Sequence, residues 1–194
     1  MLLLRRVGPI LHGICLYRKL GGEIYLPIAH VHSLTSNLSF MTLTLDQSLL
    51  TERAKTPDHI EVKHHEAKWL EASERLRKQV VLPFDGDLKL SDLAGAYKQW
   101  ATLPYFEFNP GRFQDMILIH AWCGQIEIAR KLLWESTKII KTWPQYVKDK
   151  FEELDGWENT LSAQIEDPKL IEKTIEENAL RFKVENLPVY RLIA

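Results

Sequence analysis

The sequence predicts an all-α protein: helical hairpins and a bundle, one long charged amphipathic helix, and an extended N-terminal leader. Three observations predict it. Cap-plus-proline pairs open segments at Thr56-Pro57, Asn109-Pro110 and Asp167-Pro168, and proline at the first helical position is favoured because its missing N–H is an orphan there anyway. Apolar residues between these marks recur at three- and four-residue spacing, the helical period. No stretch shows sustained period-two alternation bounded by hairpin turns, as a half-buried strand would.

The leader is defined by charge. Residues 1–45 carry four Lys/Arg and one acid, Glu23, whereas residues 46–194 carry 25 acids and 21 bases. An Arg-bearing, acid-poor N terminus has the composition of a mitochondrial import sequence. Residues 1–45 are therefore expected to be a targeting leader and extended arm, and 46–194 a single helical domain on the matrix side of the inner membrane. Arg18 and Lys19 close the apolar run Val7–Tyr17, and no small-x-small cleavage pattern follows, which argues against a secretory signal. No apolar run reaches the roughly 20 residues that span a bilayer, so no membrane span is expected. Of two cysteines, Cys15 lies in the leader and Cys123 in the body, which leaves the body a single thiol and no internal disulfide.

A first helix is expected over 58–81, ending before Pro83. Its apolar positions Val62, Trp69 and Leu76 recur every seven residues, with Val80 one turn further, and charged side chains surround them. A stripe so narrow buries one seam. Val62, Trp69, Leu76 and Val80 are accordingly the expected partner-binding residues. A turn over Leu82–Asp87 follows, then a short helix capped by Ser91 with Leu93, Ala96, Tyr97 and Trp100 on its face. The rest of a bundle ending near 186 follows a loop, 104–111. Phe113, Met116, Ile117 and His120 share one helix face; Cys123-Gly124 breaks it; Ile126, Ala129, Leu132, Leu133 and Ile140 continue as the second arm of an αα-hairpin. Trp143-Pro144 opens a helix that Gly156 stops, and Asp167-Pro168 opens the last, with Ile171, Ile175 and Phe182 inward.

Chemistry-bearing constellations are few. Glu61 and His65 share a face, but no third ligand matches them and no HExxH occurs. His64 and His65 point about 100° apart on a helix and chelate one ion poorly. Asp85 and Asp87 flank Gly86 without the glutamate of a calcium loop. His120 and Cys123 are three apart, the spacing of a Cys–His nucleophile pair, but no oxyanion-binding loop lies near them. GxxxxGK[ST], GxGxxG and GxSxG are all absent from the sequence. No catalytic residue, no metal ligand set and no cofactor is expected. The net −4 of residues 46–194 (21 − 25) argues against a nucleic-acid surface spread over the body.

Two segments resemble known families. Ile117–Leu133 (ILIHAWCGQIEIARKLL) resembles one helical hairpin of a pentatricopeptide or tetratricopeptide repeat, without a second copy near the usual spacing of about 34 residues. Glu66–Tyr97, a charged helix leading into Leu82-Pro83-Phe84-Asp85 and then Leu88-Lys89-Leu90-Ser91-Asp92-Leu93, resembles the peripheral-stalk subunit d of mitochondrial ATP synthase. Gly86 is an extra residue and Lys89 stands where that family has threonine. The second resemblance implies a non-catalytic accessory or structural subunit of a mitochondrial complex, ATP synthase above others, whose partners are the other subunits. The first implies the alternative of a mitochondrial ribosomal or helical-repeat RNA-associated protein. A small enzyme using Cys123 and His120 is the third class.

Overall fold

The structure is a computed structural model that describes residues 3–18, 23–36, 44–46, 60–79, 82–101, 108, 110–148 and 154–194. The expected all-α class is overturned at the N terminus. Leu3–Val7 (β1), Ile10–Arg18 (β2) and Ile24–Ser33 (β3) are strands, not an extended leader. Short strands follow at Thr44–Asp46 (β4), Ile60–Glu61 (β5), Leu88–Lys89 (β6), Val189–Tyr190 (β7) and Leu192–Ile193 (β8). Helices span His65–Gln79 (α1), Leu90–Ala101 (α2), Gly111–Trp122 (α3), Ile126–Lys141 (α4), Gln145–Lys148 (α5), Leu154–Glu166 (α6) and Pro168–Arg181 (α7). The protein is mixed, with a sheet and a helical bundle.

The chain forms two compact units. One, the sheet unit, comprises Met1–His32, Thr44–Trp100 and Leu187–Ala194; the other, the helical unit, comprises Ser33–Leu43 and Ala101–Asn186. In the sheet unit the order is β4-β3-β2-β1-β7, with β5 also paired to β3. The β1–β2 hairpin turns on Gly8-Pro9, with Val7 opposite Ile10 and Arg5 opposite His12. Gly8 takes φ 52°, the left-handed region that costs glycine nothing. β7 joins β1 in parallel, and β6 and β8 form a separate parallel pair.

The physical reason the strands were illegible is their buried face. Side chains alternate along a strand, so Arg5 and Val7 share a face with Ile10, His12 and Ile14 across the hairpin. Val7, Ile10 and Ile14 are buried, but so are Arg5 and His12. Two polar residues on the buried face erase the apolar alternation, and Leu4 and Leu11 on the other face erase its polar half. Burial of each fully enclosed aliphatic side chain contributes about 1.5–3 kcal/mol, so this hairpin is core.

The expected 58–81 helix is shorter. Ile60–Glu61 pairs with Ile24 and Tyr25 of β3, Val62–His64 makes one 3-10 turn, and α1 begins at His65. In the helical unit α3 is the central element, with Met116 to Ile119 all buried and packing against α4, α6 and α7. The hairpin break falls where the sequence placed it, at Cys123-Gly124, with Gly124 at φ 78°. α4 presents Ala129, Leu133, Ser136, Thr137 and Ile140 inward. Two details differ from expectation. Gly156 lies inside α6 and stops nothing, and Phe182, expected inward, is exposed just past the end of α7. The Asp167 side chain caps α7 by accepting from the Lys169 amide at 3.2 Å, as the Asp-Pro pair implied. No described helix is long and apolar enough to cross a membrane.

Candidate partner-binding surfaces

The expected seam residues divide. Trp69 is half-buried against Ile14 and Ala29 of the sheet and against Ile60 and Ala72, so its ring packs within its own unit. Val62 is exposed. The Leu76 side chain and Val80 lie outside the described residues. Around the seam, Glu61 meets Lys63 at 2.8 Å and His64 Nδ1 at 3.7 Å, and the hydrogen bond from Lys63 holds its carboxyl below the usual range. His65 stacks on Trp69, with ring centroids 5.8 Å apart. Glu61 and His65 are thus engaged with different neighbours, and among the described residues no group of three His, Cys, Asp or Glu could hold a metal ion.

Among the described residues of the sheet unit, the buried polar side chains Arg5 and His12 lie together. Arg5 Nη2 donates to the Pro83 carbonyl at 2.5 Å and its Nη1 to the Gly86 carbonyl. Nη2 and Nε also approach His12 Nδ1, at 3.1 and 3.4 Å. A guanidinium only donates, so Nδ1 accepts and the ring proton sits on Nε2. That nitrogen is buried and has no hydrogen-bond partner. The ring stacks on Phe84, 4.9 Å between centroids and 13° between planes. Burial first, and the Arg5 charge second, lower the His12 pKa to about 3, so the imidazole is neutral. Arg5, 5.0 Å from the Tyr190 ring centroid, clips the 83–86 turn to β1. Asp87 is also committed: it accepts from the Arg191 amide and Nε, both at 2.9 Å. These bonds depress its pKa. The calcium-like Asp85/Asp87 pair is a structural turn.

At the α3–α4 turn His120 and Cys123 have different surroundings. His120 Nδ1 donates to Gln125 Oε1 at 2.7 Å. Burial pushes the Cys123 thiol up to about 11, the opposite of what activates a nucleophile.

The feature that sequence reasoning missed is the outer face of α4. Trp134 is 58% exposed, and helical geometry places Arg130, Lys131, Lys138 and Lys141 within about 60° of it around the axis. Ile128 and Ile139, both exposed, lie on a separate stripe about 120–140° around the axis from Trp134, three turns apart from each other. Lys138 Nζ lies 3.2 Å from the Trp134 ring centroid, a cation–π contact. Arg130 is held by Glu127 at 2.6 Å and by both Glu166 oxygens at 2.8–3.0 Å. Lys131 meets Glu135 at 3.8 Å. The face is thus an exposed tryptophan among lysines on a rigid helix. Its signal in the sequence is Lys131, Trp134, Lys138 and Lys141 at i, i+3, i+7 and i+10.

Comparison with protein-family models, with curated proteins and with solved structures returns no match.

Proposed function

We propose that this chain is a non-catalytic structural subunit that docks an acidic protein surface through the outer face of α4. The observation that carries the reading is the exposed Trp134 among Lys131, Lys138 and Lys141. A solvent-exposed indole on a monomer surface is unusual, and Trp flanked by cations is the composition of an interface anchor. The raised Cys123 thiol and the His120–Gln125 bond favour this reading over a Cys/His enzyme.

The finer assignment is to a mitochondrial complex, ATP synthase above others, on the matrix side of the inner membrane. It rests on the acid-poor N terminus and on the Glu66–Tyr97 resemblance. In this reading the N terminus is retained after import, because removing it would strip Val7, Ile10, Ile14, Ala29 and Val31 from the core. Val62 and the exposed Leu70 of α1 remain available as a second, smaller contact.

The test is a native gel of cell extract expressing the full chain or Trp134→Ala/Lys138→Glu. The wild-type chain is expected in a large assembly and the double variant as free protein with unchanged circular dichroism. Co-migration of both, or a wild-type chain that runs free, refutes the proposal. Binding that survives nuclease treatment separates an acidic protein from RNA.

A further inference from the structure

One side of β3 carries a histidine pair. Ala29, Val31 and Ser33 are buried, and His30 and His32 between them are half-buried. Side chains two apart on a strand point to the same side. His30 and His32 therefore share the face opposite to Ala29, which clusters with Ile14 against Trp69. Burial, and then the charge interaction with His30, lower the His32 pKa. The two rings are thus near each other, and the neutral imidazole this favours is the form that ligates a metal ion.

β4 brings a carboxylate residue beside them. In the antiparallel β3–β4 pair, Asp46 stands opposite His30 and Thr44 opposite His32. Directly opposed residues occupy the same face of a sheet. The Asp46 side chain lies outside the described residues, and the backbone register sets its position. Opposed Cα atoms are about 4.5–5.5 Å apart, and residues two apart on one strand are separated by roughly 6.6 Å. Side chains from such positions converge on one ion at bond lengths of about 2.0–2.2 Å.

We propose that His30, His32 and Asp46 bind one first-row divalent transition-metal ion at the β3–β4 edge of the sheet. Two imidazoles and one carboxylate suit Zn²⁺, Fe²⁺ or Co²⁺, whereas Ca²⁺ and Mg²⁺ take oxygen ligands. Three protein ligands leave the remaining coordination positions to water. β4 is three residues long and stands at one end of the order β4-β3-β2-β1-β7. An ion shared between the two strands ties β4 down, so binding is coupled to the stability of that edge. All three residues belong to the sheet unit, and the site is separate from Glu61 and His65, which are engaged with Lys63 and Trp69.

Metal titration of the full-length chain tests it. Wild type is expected to bind one Zn²⁺ per chain by isothermal calorimetry. His30→Gln and Asp46→Asn are each expected to weaken that binding by about 100-fold or more, at least the cost of losing an outer-shell partner. His64→Gln/His65→Gln, at the adjacent pair on the other segment, is expected to bind as wild type does. A wild-type chain that binds no Zn²⁺, affinity unchanged in His30→Gln or Asp46→Asn, or binding lost in His64→Gln/His65→Gln overturns the proposal. If a variant loses its circular dichroism signal, wild type alone decides. On addition of Co²⁺ the amide signals of residues 30–32 and 44–46 are expected to shift or broaden first in nitrogen–proton spectra. First effects at His64, His65 or His120 overturn the assignment.

Discussion

Acidification from pH 7 to pH 5 should cost this protein about 2 kcal/mol, and His12→Gln should remove most of that cost. His12 is fully buried with a folded pKa of about 3 against 6.5 unfolded. A lowered folded value means that the unfolded chain binds the extra proton, so stability is full above 6.5 and falls as pH drops from 6.5 toward 3. At pH 5 the folded ring is still neutral, so the loss is set by the unfolded value. Protonation 1.5 units below it corresponds to about 2 kcal/mol at 1.4 kcal/mol per unit. His32, lowered by burial and then by His30, adds in the same direction. Asp87 and Glu61, whose values are also lowered from 3.8 and 4.5, keep their contribution above these unfolded values and lose it as pH falls below them, outside this window. Glutamine keeps an oxygen to accept from Arg5 and does not titrate. The assay is urea unfolding at both pH values followed by far-ultraviolet circular dichroism. Equal pH losses in wild type and His12→Gln would show that His12 titrates normally and that the Arg5–His12 cluster is not closed to protons.

Trp69→Ala should destabilise the chain by about 2 kcal/mol or more, since a half-buried indole leaves a gap against Ile14, Ala29, Ile60 and Ala72. A purely partner-facing Trp69 would leave the urea midpoint unchanged. Cys123, with a pKa near 11 in place of 9.0, should react with iodoacetamide at pH 8 roughly 100-fold more slowly than an unperturbed thiol, in proportion to its thiolate fraction. Rapid stoichiometric alkylation of the native protein would contradict its burial.

The helical unit was legible because its signals are local. Asp167-Pro168 caps α7, Cys123-Gly124 breaks α3 from α4, and the 3.6-residue period of Ala129, Leu133 and Ile140 marks the buried side of α4. The sheet was not legible, because what makes it possible is long-range. Arg5 reads as a leader's charge until the Pro83 and Gly86 carbonyls, some 80 residues on, are seen to receive it. His12 breaks the alternation of β2 until Arg5 and Phe84 are in place around it. Trp69 fits a seven-residue seam equally well whether its partner is another protein or β2 and β3, and periodicity alone cannot tell them apart. Trp134 was undecided in another sense: on a helix, core and interface packing explain a tryptophan equally, and only the rotation of α4 about its axis shows it outside, among the lysines.

Zero-length carbodiimide coupling of the native assembly, read by mass spectrometry, tests the central claim most directly, because it joins an amine only to a carboxylate in contact with it. A docked α4 face predicts amide links from Lys131, Lys138 or Lys141 to aspartates or glutamates of one other protein, lost in Trp134→Ala. Links from these lysines to Glu127, Glu135 or other carboxylates of this chain alone would contradict it.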